Sequence, residues 1–549
     1  MKHKVLSTSI CSSYCLSIIT KTFNMNKKFY ITTPIYYVND KPHIGHTYTT
    51  VVADALARFH RMIGDNTFFS AGTDEHGAKI ETKAKEFGKK PKEFVDEVSA
   101  HFQFMWDELN ISNDGFIRTT DEKHKEAVRN ALLIMKQNGD IYLGKYKGLY
   151  CQGCEQFLHE KDLIDGLCPD HRVKPELLSE ETYMFRMSNY SDVLLKKIES
   201  DELKIRPESR KNEILSFYKN EGLKDISFSR KNVKWGILLP WRASHTAYVW
   251  ADAFLNYLTI LGWNGIEGEF SSSYQKGDAR RAEGVFWPPE LQLMSKDILR
   301  VHATIWPAML LSLGLPLPKQ IFVHGFFMVD GHKMSKSIGN VIRPEELINK
   351  YGVDGTRYLL ISSTTLGRDS DVSFNKFDEK FNADLANGLG NLTARSLALA
   401  IKMKKAGINP VKTKGSAEKI NDKIFDHRVD LMWESFIRLL NNTEIDKALE
   451  LVMVQVKFLD NYLTLTKPWE MEVDKSKYLG QVIYNVLERL RHIALMLWPF
   501  MPETAERIWY CLGLNPTDEM KKDFKKTREW GGLKIKTKIK KSSPLFPRI

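Results

Sequence analysis

Two spacings of apolar residues divide the chain. Near the start, Phe29-Tyr-Ile-Thr-Thr-Pro-Ile35 is a short β-prone run that ends in the turn formers Asn39, Asp40, Lys41 and Pro42. From Gly45 the period lengthens. Val52, Ala55, Leu56 and Phe59 recur at helical spacing, and the helix is expected to stop near Gly64. Thr67-Phe-Phe-Ser-Ala71 then reads as a second buried strand, followed by Gly72-Thr-Asp-Glu-His-Gly77. Strand, turn, helix and strand make the βαβ unit of a parallel, doubly wound sheet, so the first part of the chain is α/β and Rossmann-like. Ile321-Phe-Val-His-Gly-Phe-Phe-Met-Val329 reads as a further strand, turning at Asp330-Gly331. After about residue 375 the texture is helical. Met432, Phe436, Leu439 and Leu440 mark one face, and Ile483, Leu487, Leu490 and Ala494 mark another. An all-α C-terminal domain is therefore expected. Residues 145–180 and about 264–288 read as loops, the first as part of an insertion.

Composition bounds the rest. A chain of 549 residues with 43% hydrophobic residues is too long for one core and too apolar for disorder, so two to four domains are expected. No stretch approaches the roughly 18 consecutive apolar residues a membrane span needs. The formal net charge of +12 suits a polyanionic partner, although a Lys-rich proteome produces the same excess. Residues 521–549 carry eleven Lys or Arg against two acids. There the alternating Leu533–Ile539 run is read first as a solvated edge strand and second as a nucleic-acid contact. Residues 1–24 are Ser-, Thr- and Lys-rich, as in an organellar presequence, but residues 1–29 contain no Arg. The plainer reading is an upstream start, with Met25 as the natural beginning and the protein cytoplasmic; a mitochondrial or plastid location is the alternative.

Chemistry enters with His43-Ile-Gly-His46, between a strand and a helix. A helix N-terminus offers unpaired N–H groups and a positive dipole end, glycine allows close backbone approach, and two imidazoles can donate to phosphate oxygens. Alone the tetrapeptide says little. Lys333-Met-Ser-Lys-Ser337, about 290 residues later and just after a turn, places two lysines where they can meet triphosphate charge. The pair, in this order, is highly specific.

With both motifs intact the chain resembles the class I aminoacyl-tRNA synthetases, and within them the methionyl-tRNA synthetase family. Thr32 to His46 is similar to the family's start along its whole length. So are Gly72-Thr-Asp-Glu-His-Gly77, Tyr248-Val-Trp-Ala-Asp252, Lys296-Asp-Ile298, His324-Gly-Phe326 and Leu545-Phe-Pro-Arg548. The resemblance implies that Tyr37, Trp250, Ala253, Tyr257 and His302 line a methionine side-chain pocket, that Asp74 holds the substrate ammonium, and that Asp297 binds substrate in the same site. It implies an ATP site of His43, Gly45, His46, His324, Lys333 and Lys336, of which His43, His46, Lys333 and Lys336 act on the reaction. Ser295 departs from the Gly usual in the family before Lys296-Asp297. The implied partners are L-methionine, ATP with Mg²⁺ and tRNA(Met), and the implied activity is methionine–tRNA ligase, through a methionyl-adenylate.

Cys151-Gln-Gly-Cys154 and Cys168-Pro-Asp-His171 give three thiols and an imidazole at C-x₂-C-x₁₃-C-x₂-H spacing. Such a set closes a tetrahedral shell, so a structural Zn²⁺ is expected, and the resemblance places it in a zinc knuckle inserted in the nucleotide-binding fold. Asn391 and Arg395 share a helix face, and with Trp469 they match the family's anticodon-reading residues; an aromatic plane beside amide and guanidinium donors suits unpaired bases.

The expected division is a leader at 1–27, the catalytic domain at 28–144 and 241–374, an inserted zinc-knuckle domain at 145–240, a helical anticodon-binding domain at 375–515 and a basic tail at 516–549. The chain ends without the extra C-terminal module that dimerises some relatives, so a monomer is expected. Sibling synthetases for isoleucine, valine and leucine carry a large editing domain, which an insertion of this length does not hold. The cysteine enzyme would need a thiolate-ligated zinc at the amino-acid site, and no cysteine lies near His43–His46 or Asp297. A catalytically dead tRNA-binding homologue is opposed by the unbroken motifs. A zinc-containing nucleotidyltransferase without a tRNA partner is opposed by Asn391, Arg395 and Trp469.

Overall fold

The computed structural model describes residues 27–549 except 152–155, 159, 161–162, 170–171, 232, 267–285, 335–338, 406–409, 411–419, 471–475, 535–536 and 542. Seven strands form one parallel sheet: β1 (Lys28–Thr32), β2 (Tyr36–Tyr37), β3 (Asn66–Asp74), β4 (Gly115–Arg118), β5 (Lys204–Arg206), β6 (Leu291–Ser295) and β7 (Gln320–His324). Their order across the sheet is β4-β3-β1-β6-β7-β5, with β2 prolonging the line of β1 beside β3 (Thr32 opposite Ser70, Tyr36 opposite Thr73). Helix α1 (Ile44–Met62) makes the crossover from β1 to β3. Its face of Val51, Val52, Ala55, Leu56 and Phe59 is fully buried, as the spacing predicts. From β1 the chain winds outward through β3 to β4; from β6 it winds the other way to β7. The carboxyl ends of β1 and β6 therefore part at a topological switch point, where doubly wound sheets open a ligand crevice.

Three expectations are corrected. The run Ile321–Val329 is not one strand. It breaks at Gly325, and Phe327–Val329 joins a separate small sheet, antiparallel to His332–Lys333 and parallel to Ser370–Val372. A Cβ on Gly325 would lie 2.1 Å from the Arg368 carbonyl, so the two backbones pass only because no side chain intervenes. Residues 145–180, read as loop, contain a long antiparallel ribbon of Ile141–Cys151 and Glu176–Phe185. Its apolar positions are half wet, with Leu143 52% and Leu177 65% exposed, so no core-facing alternation advertises it. The alternating tail forms no strand among its described residues. The N–H groups of Gly531, Gly532 and Leu533 donate to the buried Glu488 carboxylate (2.8, 2.8 and 2.9 Å), and Lys540 N–H to Cys511 O (2.8 Å). These groups are satisfied by a carboxylate and a helix end instead of a ladder.

The C-terminal part is built on α2 (Pro344–Ser362), α3 (Asn391–Lys405), α4 (Ile420–Asn441), α5 (Ile445–Thr466) and α6 (Ser476–Leu497). Both apolar faces read from the sequence are buried in it. One side chain ties α1 to this half. Arg357 on α2 is fully buried, donating to Asp54 Oδ2 on α1 (2.6 Å) and to the carbonyls of Leu109, Pro499 and Phe500 (3.1, 3.2 and 2.7 Å). Asp54 also accepts from Arg58 (2.9 Å) and from the amide and hydroxyl of Ser112 (2.7 and 2.6 Å). Burial alone would raise this carboxyl; Arg58 and Arg357 outweigh it and hold its pKa at about 2. Among the described residues, no helix is long and apolar enough to cross a membrane.

Candidate active site

The crevice at the switch point opens into a cavity of about 500 Å³. Tyr37, His43, Gly45, His46, Asp74, Trp250, Ala253, Tyr257, Asp297, His302 and His324 all line it, although they come from separate stretches of sequence. Lys333 is described in its backbone only, on the short strand His332–Lys333, and its neighbour Met334 lines the cavity. Lys336 lies outside the described residues.

One wall is the N-terminus of α1. His43 caps the helix, its Nδ1 accepting from Gly45 N–H (3.0 Å), while His46 Nδ1 faces His43 N–H (3.4 Å). The two rings stack at 3.9 Å. A neutral imidazole that accepts at Nδ1 carries its hydrogen on Nε2, so both rings are donors there. A Cβ on Gly45 would come within 2.8 Å of the His43 ring, which explains the glycine between the histidines. His324, at the end of β7, donates from Nδ1 to Gly325 O (2.8 Å) and meets the Thr49 hydroxyl at Nε2 (2.7 Å); burial lowers its pKa.

The opposite wall is aromatic. Trp250 sits on the short helix Val249–Ala253 and stacks on Phe254 (5.1 Å), whose ring meets His302 edge-on (4.9 Å). His302 donates from Nδ1 to Ile298 O (2.9 Å), leaving Nε2 to accept from the Tyr257 hydroxyl (2.9 Å). Burial depresses His302 to a pKa of about 4 and raises Tyr257, so this pair stays neutral through the physiological range. The result is a largely apolar, polarizable pocket in which the Tyr257 and His302 hydrogens are already spent, suited to a thioether. Asp74 supplies a buried carboxylate at the end of β3. Asp297 accepts from the Ser295 hydroxyl, so the departure from glycine adds a hydrogen bond to an acid that lines the cavity. Lys296 pairs with Asp369 (2.6 Å), whose other oxygen accepts from Phe326 N–H (2.8 Å), tying β6 to the hairpin that carries Lys333.

Sequence reasoning missed Thr49 and Phe254 in the lining. Both were within reach of it: Thr49 lies one turn after His46 on α1, and Phe254 lies four residues after Trp250. Away from the cavity, Asn391 and Arg395 are exposed on α3, and the Arg395 guanidinium lies 5.8 Å over the ring of Trp469, itself 44% exposed. Arg395 also pairs with Asp460 (2.7 Å). An arginine beside an open indole face is a ready platform for a splayed base. Of the four predicted metal ligands, Cys151 and Cys168 are both buried, and Cys154 and His171 lie outside the described residues.

A switch-point crevice, histidines at the entrance of the crossover helix and a lysine-bearing hairpin across from them define the class I aminoacyl-tRNA synthetase architecture. The family profile "tRNA synthetases class I (M)" matches residues 29–174 and 162–397, and "Anticodon-binding domain of tRNA ligase" matches 422–541. The methionine–tRNA ligase of Clostridium acetobutylicum is 43% identical over 95% of this chain and 78% of its own. That of Streptomyces coelicolor is 37% identical over 95% of this chain and 97% of its own. Among solved structures, the Mycobacterium tuberculosis methionyl-tRNA synthetase in complex with methionyl-adenylate matches with a TM-score of 0.86 at 36% identity, covering 95% of this chain and 100% of that one. The chain belongs to the methionyl-tRNA synthetases, the class I methionine–tRNA ligases.

Proposed function

We propose that the cavity at the switch point is where this chain joins methionine to ATP. The observation that carries the reading is that one space is walled by the α1 imidazole donors on one side and by an apolar pocket with a buried carboxylate on the other. The thioether lies among Tyr37, Trp250, Ala253, Tyr257 and His302, its ammonium against Asp74, and Asp297 meets the substrate between the two halves. The methionine carboxylate is already ionised at pH 7 and attacks the α-phosphorus in line, with pyrophosphate leaving, so no general base is required. His43 and His46 donate to phosphate oxygens, Gly45 admits the nucleotide to the helix end, and His324 supports that wall. Lys333 and Lys336 meet the charge that develops as the bond to pyrophosphate breaks. Mg²⁺ accompanies ATP and screens its phosphates. A ribose hydroxyl at the 3′ end of tRNA(Met) then attacks the methionyl carbonyl of the adenylate, the anhydride bond breaks, and AMP leaves.

The catalytic domain is assigned to 28–144 and 241–374, the insertion to 145–240, the helical domain to 375–515 and the tail to 516–549; β5 ties the insertion to the edge of the catalytic sheet. The relatives named are bacterial, which supports a cytoplasmic location. Cys151, Cys154, Cys168 and His171 fit one structural Zn²⁺. Cys151 ends the strand Ile141–Cys151, and Cys168 sits in a turn closed by its own N–H to Val173 O and by Arg172 N–H to Cys168 O (both 2.8 Å). Elemental analysis should find one zinc per chain, lost in Cys168→Ser; folded, active wild type without zinc would refute this assignment.

Asn391, Arg395 and Trp469 are assigned to the anticodon. Trp469→Ala should raise the KM for tRNA(Met) in charging by roughly 10–100-fold, the loss of about one stacked base, while pyrophosphate exchange without tRNA stays unchanged. Equal losses in both assays would refute the anticodon role.

A further inference from the structure

Asp252 lies outside the roles assigned above, yet it is a buried carboxylate beside the pocket held by two buried imidazoles. It is buried on the helix Val249–Ala253, between Trp250 and Ala253. Its Oδ2 accepts from His76 Nδ1–H (2.6 Å) and its Oδ1 from His124 Nε2–H (2.7 Å). Both imidazoles are buried, and His124 Nδ1 in turn meets the Thr259 hydroxyl (2.8 Å). His76 lies two residues after Asp74. The residue between them is fixed as well. Glu75 is fully buried, takes a two-pronged contact from Arg118 (2.7 and 2.9 Å), and its amide donates to Thr119 (2.9 Å). Trp235 Nε1–H donates to Glu75 O (2.6 Å), and Gly77 N–H to Trp235 O (3.0 Å), which closes the loop from the other side.

Asp74 and the Trp250–Ala253 segment thus reach the cavity from two chain segments about 175 residues apart, and one carboxylate bridges them. We propose that Asp252 is a positioning residue that, through His76, sets the spacing between the ammonium-holding carboxylate Asp74 and the side-chain wall of Trp250 and Ala253. The proposal rests on the assignment of the cavity to methionine. That spacing is a property of the amino acid alone. The ATP wall is built from α1 and β7, and neither His76 nor Asp252 touches it through any described hydrogen bond. Burial would push the Asp252 carboxyl up, but His76 and His124 more than offset this and hold it near 2, in keeping with a permanently ionised bridge.

The test is methionine-dependent ATP–pyrophosphate exchange with the full chain. Asp252→Asn keeps the shape but turns one acceptor into a donor, so one imidazole loses its partner. It should raise the KM for methionine at least tenfold with the KM for ATP within twofold of wild type. His76→Ala should do the same, and His76→Asn, which restores a donor at the Nδ1 position, should return the KM for methionine to within about threefold. If Asp252→Asn does not fold, the His76 pair carries the test alone. A proportional rise in both KM values, an unchanged KM for methionine in the His76→Ala variant, or no rescue by His76→Asn overturns the proposal while leaving the functional reading in place. A wild type that exchanges with an amino acid other than methionine overturns the reading beneath it.

Discussion

Replacing His46 by alanine lowers methionine-dependent ATP–pyrophosphate exchange by roughly 10²–10³-fold, the range found when one preorganised donor to developing charge is removed. The imidazole accepts at Nδ1 from within the helix cap, which commits its Nε2–H to the cavity side, and it is stacked on His43 so that neither ring reorients when the charge shifts. The cost falls on kcat because the interaction strengthens as charge builds on the phosphate oxygens. His46→Asn separates the two jobs of the side chain. Its amide oxygen can still take the His43 N–H, so the helix entrance is kept, but the distal donor is gone. The asparagine variant should be about as slow as the alanine variant while circular dichroism stays that of wild type. Recovery of most of the rate in His46→Asn would assign the residue to capping instead of catalysis.

The largest stability effect is expected at Arg357. Its guanidinium is the only side chain among the described residues that joins Asp54 on α1 to the Pro499–Phe500 corner before the helix Pro502–Cys511. Arg357→Ala leaves three buried carbonyls short of a donor and Asp54 with Arg58 as its only guanidinium partner, a loss of about 3–5 kcal/mol by the usual cost of breaking a buried ion pair. Arg357→Lys recovers little of it, because a point charge cannot reach carboxylate and carbonyls in one fork. The pH dependence follows from the same contacts. The Asp54 carboxyl is depressed in the folded state, so its contribution is present above its unfolded pKa of about 4 and is lost as pH falls through about 2. Without Arg357 that carboxyl rises, and the acid limb of the stability curve should move to higher pH. Urea unfolding followed by tryptophan fluorescence at pH 7 and pH 4 reads both effects; a loss under 1 kcal/mol at pH 7 would contradict them.

What could be read from the chain was what is contiguous. The crossover helix announced itself through Val52, Ala55, Leu56 and Phe59, and the cavity residues sat in short motifs whose residue types carry their chemistry with them. Within Gly45–Asp54, the residues Gly45, His46 and Val52 stood out, yet Thr49 also serves the site and Asp54 the domain junction. These two act through partners hundreds of positions away. Thr49 reaches His324 and Asp54 reaches Arg357, and nothing local marks either pairing. The break at Gly325 has the same origin, since it answers to the backbone of Arg368, which no window around residue 325 contains. The ribbon Ile141–Cys151 was missed for a different reason: its strands are held by cross-strand backbone pairing with apolar side chains left half in water, so the period of two never appears. The tail carried that period and still forms no strand among its described residues, where Glu488 takes three of its backbone donors. Patterning predicts what a segment would bury, and says little about segments whose backbone is satisfied by one distant side chain.

The most direct measurement is ATP–pyrophosphate exchange by the purified full-length chain, without tRNA, against each of the twenty amino acids. The paired Tyr257 and His302, the stacked Trp250 and Phe254 and the buried Asp74 predict exchange with methionine and with no other standard amino acid. Exchange driven by leucine or isoleucine in place of methionine would contradict the pocket assignment, and folded, zinc-loaded protein that exchanges with none of the twenty would contradict the assignment of adenylate chemistry to this cavity.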